Sequence, residues 1–508
     1  MSRSGNNEIT KYDGGSISGN VNTSNSSNKT SSKKKKTPLF FKIFFAIYLA
    51  ISLVFFVYVC TLNMLPTMYL VIIGILDAII TGAISFGIIK RNKKIVGNVI
   101  CTILAVAVIG GYAYIYNYLN ATMNFIGTMS EKIEETEEYY VITLNNGKFN
   151  ELEDIEEKNL HVFSSGDEYN DVKNEISSKV KVYFKEDESL KQLADDILSF
   201  KSYVALVSSS QYEMIKDDYT DFDTKTKIIY TASHKINSTV EEIKDENSEH
   251  TIKNGVFNVY ISGIDTSGRI SNVSRSDANI LATVNTKTHE VLLTSIPRDY
   301  YVTLHSKKAK DKLTHSGIYG VSETVKTVED VLDTDINYYV RVNFTTLIKL
   351  VDTLGGVDVV SDYAFTAQGY SFVKGTNHLN GEKALAFSRE RHSFTDGDNQ
   401  RVKNQQKVLE AIMKKCLNST TILTKYTNIL SSLSGSFQTN IEQDEISSIV
   451  KNQLNSMSGW DIQMNSLTGS GSMSSTYSAG SQLLYVMIPN ESSVSTAKTK
   501  INSVLNSK

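Results

Sequence analysis

Three apolar runs near the N-terminus constrain the fold of this chain more than any other feature. They cover residues 39–60, 65–89 and 96–116 of the 508-residue sequence. A helix rises about 1.5 Å per residue, so a run of about 20 to 25 residues can cross a hydrocarbon core roughly 30 Å thick. The first run is too long for a cleaved signal peptide and begins too late in the chain. We therefore predict three transmembrane helices within residues 38–118.

Basic residues around these runs predict their orientation. KKKK at residues 33–36 precedes the first run, KRNKK at residues 90–94 separates the second from the third, and the linker at 61–67 has no basic residue. Lysine and arginine accumulate in cytoplasmic loops. We predict a disordered cytoplasmic tail at residues 1–37, which is rich in Ser, Asn, Gly and Lys. Three crossings then place everything after about residue 118 outside the cell.

Two charged residues lie inside the apolar runs. Lys42 is near the start of the first run, where its side chain can reach the headgroup region. Asp77 is in the middle of the second run, and a carboxylate exposed to lipid would be costly. We therefore expect Asp77 to face another membrane helix.

Residues 119–250 predict a small extracytoplasmic α/β accessory domain. A helical pattern covers residues 190–200. Strand-like segments occur at residues 138–144, 179–184, 202–208 and 226–233. Residues 119–255 contain 29 Asp and Glu against 15 Lys and Arg, which is typical of a solvated surface. Contact with polysaccharide-synthesis proteins is an alternative role for this surface, and the polar segment 238–255 predicts a linker.

The cysteines and histidines exclude two classes of site. Cys60 and Cys101 lie in or beside the membrane runs, which leaves Cys416 alone in the remaining sequence. A disulfide framework is therefore excluded. The eight histidines are scattered, and no Cys/His spacing resembles a zinc site.

Strands and helices alternate from residue 256 onward, which predicts an α/β domain with a central sheet flanked by helices. The predicted strands are at residues 257–265, 280–286, 290–297 and 338–344, and the predicted helices at 316–332 and 345–354. Charged residues stand at the ends of these strands. Asp265 ends the first strand, Arg275 and Asp277 precede the second, and Arg298 and Asp299 follow the third. In such sheets, functional groups gather at strand ends.

The groups at the strand ends have complementary chemistry. Asp265 and Asp277 are hard oxygen ligands that suit Mg²⁺, or Mn²⁺, when a substrate phosphate supplies the remaining ligands. Arg275 and Arg298, together with two arginines of the segment SRER at residues 388–391, can each bind two phosphate oxygens. One metal and four arginines exceed the charge of a single phosphomonoester. We therefore predict a site for a pyrophosphate.

The segment SRERHSFTDGDNQRVKNQQ covers residues 388–406. Arg389 and Arg391 lie at its start, and a helix is predicted in its second half. Asp398 is suited to cap a helix that begins near residue 399. One face of this helix changes from polar to apolar along its length. The residues of that face are Arg401, Gln405, Val408 and Ile412. Such a face suits either a ligand with a charged head and an apolar tail, or packing against a core.

The order and spacing of these motifs resemble the LytR-CpsA-Psr family. The resemblance covers about residues 256–415. It is carried by FNVYISGID, SRSDANILATVNTKTHEVLLTSIPRDYYV, DKLTHSGIYG, VNFTTLIKLVDTLGGVDV, HLNGEKALAFSRER and GDNQRVKNQQKVLEAI. Three membrane spans followed by an accessory domain are also similar to the capsule-associated branch of that family.

The resemblance implies a phosphotransferase on the outer face of a Gram-positive-type cell. Members of the family move a glycopolymer, such as capsular polysaccharide or wall teichoic acid, from a polyprenyl-pyrophosphate carrier to muramic acid of peptidoglycan. They form a phosphodiester, release polyprenyl phosphate and use no nucleic acid. By position, Asp265 and Asp277 would hold Mg²⁺. The residues that would bind the pyrophosphate are Arg275, Arg298, Arg389, Arg391, Arg401 and Gln405.

Catalytic roles follow from the same resemblance. Asp277, Arg298 and Arg275 are the leading candidates, and Asp277 would also accept the proton of the acceptor hydroxyl. Asp299 and Asp398 are second-rank candidates, of which Asp299 would orient Arg298. The lipid tail would lie in an apolar tunnel between sheet and helices, with the apolar end of the helix after Asp398 as one wall.

Two other functions stay open at this point. The chain could be a non-catalytic receptor or regulator that binds a lipid-linked polymer, or a hydrolase of polyprenyl pyrophosphates. Both would use the same anion-binding residues. The remaining sequence predicts a helical region at 423–457, a surface loop around Trp460 and residues 469–481, and a closing strand and helix at 485–505.

Overall fold

The computed structural model describes most of the chain. The described residues are 39–90, 95–129, 135–163, 169–219, 221–236, 243, 248–264, 270, 273–395, 397–418, 437–456 and 458–508. The predicted tail lies outside them, as does half of the predicted linker at 238–255. Most of the first half of the predicted helical region at 423–457 also lies outside them.

Three long apolar helices come first in the described chain. They are α1 (Leu39–Thr61), α2 (Thr67–Lys90) and α3 (Ile95–Met129). Each is long and apolar enough to cross a membrane, and this confirms that the three predicted runs form long apolar helices. The third helix continues well beyond residue 116, where the predicted run ends.

Asp77 faces the neighbouring membrane helices, as predicted. Ser52 Oγ of α1 donates to Asp77 Oδ2 at 2.6 Å. The hydroxyl of Tyr112 on α3 donates to Asp77 Oδ1. The carboxylate therefore joins all three helices and is kept away from lipid.

The next part of the chain forms a five-stranded sheet with helices on both faces. Its elements are β1 (Thr136–Leu144), β2 (Asn159–Val162), α4 (Asn170–Lys179), β3 (Tyr183–Glu186), α5 (Leu190–Ser199), β4 (Val204–Ser208), α6 (Ser209–Asp218), α7 (Phe222–Lys225) and β5 (Thr226–Lys235). The strand order is β3-β2-β4-β1-β5. Successive side chains of β1 point to opposite faces. Val141 packs in an apolar cluster with α4, and Ile142 packs in one with α5.

The strand predicted at residues 179–184 is displaced in the structure. Lys179 ends α4, and β3 begins only at Tyr183. Val172 and Ile176 hold α4 against the sheet, and the following Val180 turns into the same core. Val180 is already extended, and Val182 and Phe184 pack against the same core, so the alternation marks the extended approach to β3 and its first residues.

A mixed six-stranded sheet organises the C-terminal half. Its elements and their neighbours are, in chain order, β6 (Val256–Ile264), β7 (Ser276–Asn285), β8 (Glu290–Ile296), β9 (Tyr301–Thr303), β10 (Lys310–Lys312), α8 (Leu313–Ser316), α9 (Val321–Leu332), β11 (Tyr338–Asn343), α10 (Phe344–Thr353), β12 (Val357–Ser361), β13 (Phe365–Ala367), β14 (Tyr370–Phe372), β15 (Gly375–Leu379), α11 (Gly381–Arg389), α12 (Asp398–Asn418), β16 (Phe437–Thr439), α13 (Gln443–Ser456), β17 (Asp461–Ser466), β18 (Gly469–Thr476), β19 (Gly480–Pro489) and α14 (Glu491–Asn506). The strand order is β16-β11-β6-β7-β8-β17. The predicted α/β class is confirmed.

Each face of this sheet is covered by helices. Leu281 and Leu292 pack with α9 and α14 on one face. Ile280 and Leu293 pack with α12 and α13 on the other face. Strands β6, β7 and β8 run antiparallel, so the start of β7 lies beside the ends of β6 and β8. The charged residues that the sequence places at these strand ends therefore share one edge.

The prediction of a surface loop at residues 469–481 is wrong. Residues of this segment form β18, which pairs antiparallel with β19 in a hairpin. Its glycines permit close packing, because a Cβ atom at Gly471 would lie only 2.8 Å from the ring of Tyr485. Trp460, predicted in the same loop, is half-buried beside the sheet and donates from Nε1 to Gln453 Oε1 at 2.8 Å. The predicted closing strand and helix correspond to β19 and α14.

The membrane helices contact the C-terminal half directly. Near the end of α3, the Met123 sulfur accepts a hydrogen bond from Gln443 Nε2 of α13 at 3.7 Å. Phe125 packs on the apolar cluster formed by α10, α11 and α12. Tyr69 at the start of α2 donates to the carbonyl of Leu454 on α13 at 3.2 Å. These contacts explain why α3 extends beyond its most apolar part.

Candidate functional site

An ion pair at the edge of the six-stranded sheet forms the centre of the site. Arg298 Nη1, just after β8, donates to Asp277 Oδ1, near the start of β7, at 2.8 Å. Thr314 Oγ1 donates to the same oxygen at 3.2 Å, and the Thr314 backbone N–H donates to the carbonyl of Arg298 at 2.8 Å. Asp277 is only 8% exposed. The structure thus brings two of the predicted site residues into direct contact.

A second buried carboxylate supports the same arginine. Asp299 Oδ2 lies 3.8 Å from Arg298 Nε, and Asp299 Oδ1 lies 3.1 Å from Lys312 Nζ. Asp299 therefore lies where it can orient the Arg298 side chain. Its position also brings Lys312 next to the arginine.

The electrostatics of Asp277 are set by three arginines. Burial alone would raise the pKa of this carboxyl, but the charges of Arg298, Arg275 and Arg401 outweigh burial and hold the pKa at about 2. Burial would also raise the pKa of Asp299, whereas Lys312 and the nearby arginines hold it below its usual value. Both carboxylates are therefore ionised at neutral pH, inside a cluster of excess positive charge.

The remaining predicted anion-binding residues lie on α11 and α12. Arg401 is 6% exposed and acts electrostatically on both buried carboxylates. Arg389 is the last residue of α11 and is half-buried. Gln405 is half-buried one turn after Arg401. Arg391 lies on the surface, with Nε 3.3 Å from His392 Nε2.

Helix α12 begins one residue earlier than predicted. Asp398 is its first residue, and the Arg401 backbone N–H donates to the carbonyl of Gly397 at 3.3 Å. Gly397 therefore takes the N-cap position that the sequence suggested for Asp398. A φ angle of +50° at this position favours glycine. The side chain of Asp398 lies outside what the structure describes.

Asp265, the other predicted metal ligand, follows β6 directly and lies outside the described residues. Among the residues that the structure does describe, no group of three or more Asp, Glu, His or Cys residues could hold a metal ion. Arg298 and Thr314 both donate to Oδ1 of Asp277. An ionised carboxylate is a hard oxygen donor, and this chemistry fits Mg²⁺ when other oxygens complete the shell.

An apolar cavity of about 580 Å³ adjoins the arginine cluster between the sheet and α12. Ala278 and Ile280 of β7 line its sheet side. Val408 and Ile412 line its helix side, while Gln405 stands at its polar border. The polar-to-apolar face predicted for this helix therefore borders the cavity.

A second, polar cleft lies on the other side of the cluster. It has about 550 Å³ of empty space, and Arg275, Arg298 and Lys312 line one side. Residues of α5 and α6 in the five-stranded sheet unit line the opposite side. The cleft thus joins two parts of the chain that are separate in sequence.

The sequence prediction missed Lys312 and Thr314. Both lie in the segment DKLTHSGIYG, which carried the family resemblance but was assigned no site residue. A signal was present, because the segment places four polar residues, Asp311, Lys312, Thr314 and His315, around one leucine, as at a strand end. Its proximity to Asp277 and Asp299 depends on β10 and α8 folding back toward β8, which the sequence pattern does not reveal.

Comparison with a family model identifies residues 224–501, more than half of the chain, as a LytR_cpsA_psr family match. Curated relatives include TagU of Bacillus subtilis strain 168, a polyisoprenyl-teichoic acid–peptidoglycan teichoic acid transferase. It is 36% identical over 230 residues, which cover 45% of this chain and 70% of the relative. The TagU of Bacillus licheniformis is 37% identical over 243 residues, covering 46% of this chain and 74% of the relative.

Similar solved structures include B. subtilis TagU and a TagT bound to LI-WTA. The TagU crystal structure is 33% identical, covers 50% of this chain and 98% of its own, and has a TM-score of 0.39. The TagT complex is 28% identical, covers 52% of this chain and 95% of its own, and has a TM-score of 0.41. The family match over residues 224–501 and the identity to relatives that are covered over more than two thirds of their length show that this chain belongs to the LytR-CpsA-Psr family.

Proposed function

We propose that this protein is a membrane-anchored transferase that moves a glycopolymer from a polyprenyl-pyrophosphate carrier to peptidoglycan. The glycopolymer is a capsular polysaccharide, a wall teichoic acid or a similar polymer. One observation carries the proposal: a cluster of arginines around the ionised Asp277 lies beside an apolar cavity. The curated TagU relatives, named as transferases of teichoic acid to peptidoglycan, support it.

The two chemical parts of the carrier match two parts of the site. A pyrophosphate would bind to Arg275, Arg298 and Arg401, which surround Asp277, with Arg389, Arg391 and Gln405 as further contacts. The polyprenyl tail would enter the apolar cavity beyond Gln405. Burial of this tail is favourable because it removes apolar surface from water.

The metal belongs to the proposal as well. Asp277, together with Asp265, would hold Mg²⁺, and Mn²⁺ has similar ligand preferences. A bound divalent cation would neutralise charge on the phosphate oxygens. The protein's own contribution is to place Asp277 in the ionised state at neutral pH, as its pKa of about 2 requires.

The transfer itself needs little covalent chemistry from the protein. The acceptor hydroxyl oxygen bonds to the phosphorus that carries the glycan, and the bond from that phosphorus to polyprenyl phosphate breaks. Arg298, Arg275 and Arg401 stabilise the charge that moves onto the leaving phosphate. The hydroxyl proton leaves to Asp277 or to water. Asp277 is a weak base at a pKa of about 2, which suits a reaction whose leaving group is already good.

The arrangement of the membrane helices supports an extracytoplasmic site. Lys451 Nζ of α13 lies 3.2 Å from Asn63 Oδ1, in the linker between α1 and α2, which carries no basic residue. The catalytic half thus adjoins the same end of the helices as this linker. The basic segment at residues 90–94 joins α2 to α3 at the opposite end. By the distribution of positive charge, that opposite end is cytoplasmic.

The proposal is tested with the full chain in lipid nanodiscs, given a polyprenyl-pyrophosphate oligosaccharide, Mg²⁺ and peptidoglycan. We expect attached glycan and released polyprenyl phosphate, and we expect Arg298→Ala to abolish both. The matched control is Arg391→Ala at the surface, which should lower the amounts of attached glycan and released polyprenyl phosphate less than Arg298→Ala does. Release without attachment would indicate a hydrolase, and binding without release a receptor, and either result would overturn the proposal.

A further inference from the structure

We propose that the polar cleft is the binding site of the acceptor saccharide, and that α5 and α6 of the five-stranded sheet unit form one wall of it. The inference rests on the proposed transfer and extends it by assigning a substrate role to a part of the chain outside the arginine cluster. The ligand class is a glycan strand that carries carboxylates, as peptidoglycan does.

The cleft and the apolar cavity lie on opposite faces of the sheet edge. Ile280 of β7 packs on the α12 face of the sheet, whereas Leu313, next to Thr314, packs on the face covered by α9 and α14. Ala278 lines the apolar cavity. Its neighbour Asp277 instead contacts Arg298 and Thr314, both of which line the cleft. The arginine cluster therefore separates an apolar compartment from a polar one.

The chemistry of the transfer assigns the acceptor to the polar compartment. In phosphoryl transfer the attacking and leaving oxygens lie roughly in line with the phosphorus. If the polyprenyl phosphate leaves toward the apolar cavity, the acceptor hydroxyl must approach from the other side of the cluster. That side is the cleft, which Arg275, Arg298 and Thr314 line.

The charge of the cleft suits an anionic glycan. Its cationic lining residues are Lys191, Arg275, Arg298 and Lys312, and its acidic lining residues are Asp218 and Asp299. Arg275 and Arg298 are assigned to the donor pyrophosphate, so Lys191 and Lys312 are the lining cations left for the acceptor. Their ammonium groups can donate to the carboxylates of a glycan strand.

The wall from the five-stranded sheet unit carries organised polar groups. Lys191 Nζ donates to Tyr219 Oη and to Asp195 Oδ2, each at 3.0 Å. The Tyr219 hydroxyl in turn donates to Asp195. An aromatic ring with a polar tip and a charged amine, both held in place, provide the apolar and hydrogen-bonding surfaces that a sugar ring needs.

The two walls are joined by specific contacts, which fix the shape of the cleft. Gln482 Nε2 of β19 donates to Asp218 Oδ2 of α6 at 2.7 Å. Ser189 and Gly480 form an isolated antiparallel bridge between the two parts. Ala479 is buried in the same apolar cluster as Leu190 of α5. A wall held by backbone, polar and apolar contacts is suited to positioning a ligand.

The test uses the full chain in nanodiscs and Lys191→Ala combined with Tyr219→Phe. We expect about a tenfold rise in the KM for a soluble peptidoglycan fragment, because a hydrogen bond to a charged group is lost. The same variant should leave the Kd for the polyprenyl-pyrophosphate donor unchanged. Direct binding of the fragment, measured without donor, should weaken by the same factor.

The matched control is Lys225→Ala. Lys225 forms an i,i+4 pair with Asp221 at 2.6 Å and has a side-chain exposure of 53%, against 54% for Lys191, but it does not line the cleft. An unchanged acceptor KM in the cleft variant would overturn the inference. A weakened donor Kd with unchanged acceptor binding would assign the cleft to the donor glycan instead, and would also overturn it. Absence of transfer by the wild type, with fragment binding still sensitive to Lys191, would refute the proposed function but not the binding site.

Discussion

Replacing Asp277 by Asn removes the carboxylate around which the arginines gather, and this change has a calculable pH dependence. The pKa of Asp277 is about 2 in the folded protein, against an ordinary value of 3.8 for this side chain. At 1.36 kcal/mol per pKa unit, the ionised form stabilises the folded state by about 2 kcal/mol at neutral pH. Because the folded pKa is depressed, this stabilisation is present above the unfolded pKa and is lost as the pH falls through the folded value. At pH 3 about half of it remains.

The measurement is the free energy of unfolding of the wild type and of Asp277→Asn between pH 3 and pH 7. As the pH falls from 7 to 3, we expect the difference between their free energies of unfolding to shrink by about 1 kcal/mol, because the wild type loses the stabilisation by the ionised carboxylate. Asp461→Asn, which removes an exposed carboxylate on β17, serves as the control for the loss of one negative charge away from the arginine cluster. A constant difference for Asp277→Asn would refute the electrostatic account of the arginine cluster.

Further predictions concern other parts of the molecule. The Glu135 carboxylate lies 2.7 Å from Nη1 of Arg341, which is only 2% exposed. Because Glu135→Ala removes this partner from a buried charge, it should lower the free energy of unfolding by about 3 to 5 kcal/mol. A loss below about 1 kcal/mol would contradict this account. Val408→Phe should fill part of the apolar cavity and raise the KM for long-chain polyprenyl donors more than for short-chain ones; equal effects on both would argue against a lipid site there. Removal of divalent cations by a chelator should abolish transfer, and Mg²⁺ or Mn²⁺ should restore it; full activity in the chelator would exclude the proposed metal role. Gly469→Val should destabilise the hairpin by about 1 to 3 kcal/mol, because its Cβ would clash with the backbone carbonyl oxygen of Ile488; an unchanged free energy of unfolding would contradict this account.

Long continuous apolar runs in the sequence predicted the three N-terminal helices, and short apolar runs predicted most of the strands, because both signals are local. It also placed Asp277 and Arg298 at strand ends, and the antiparallel pairing of β7 and β8 brings these ends together. The segment around Gly471 was misjudged, because Ser and Gly usually mark loops, while here they permit a close approach to Tyr485.

Contacts between distant parts of the chain could not be predicted from the pattern. The approach of Lys312 to Asp299 depends on how β10 returns toward β8, and no local signal encodes that path. The cleft depends on the packing of Leu190 with Ala479, almost 300 residues later in the sequence. Such sites arise only when two separately patterned parts of the chain pack together.

The length of α3 sets the height at which the transfer site works. A helix of 35 residues is about 50 Å long, roughly 20 Å more than the hydrocarbon core. Its distal turns are fastened to the C-terminal half through Met123 and Phe125. Because both ends of this extension are fixed, α3 holds the C-terminal half at a set distance along the helix instead of linking it flexibly. In the proposed orientation, we expect the site to meet glycan strands close to the outer surface of the bilayer, where a lipid-linked donor would also reside.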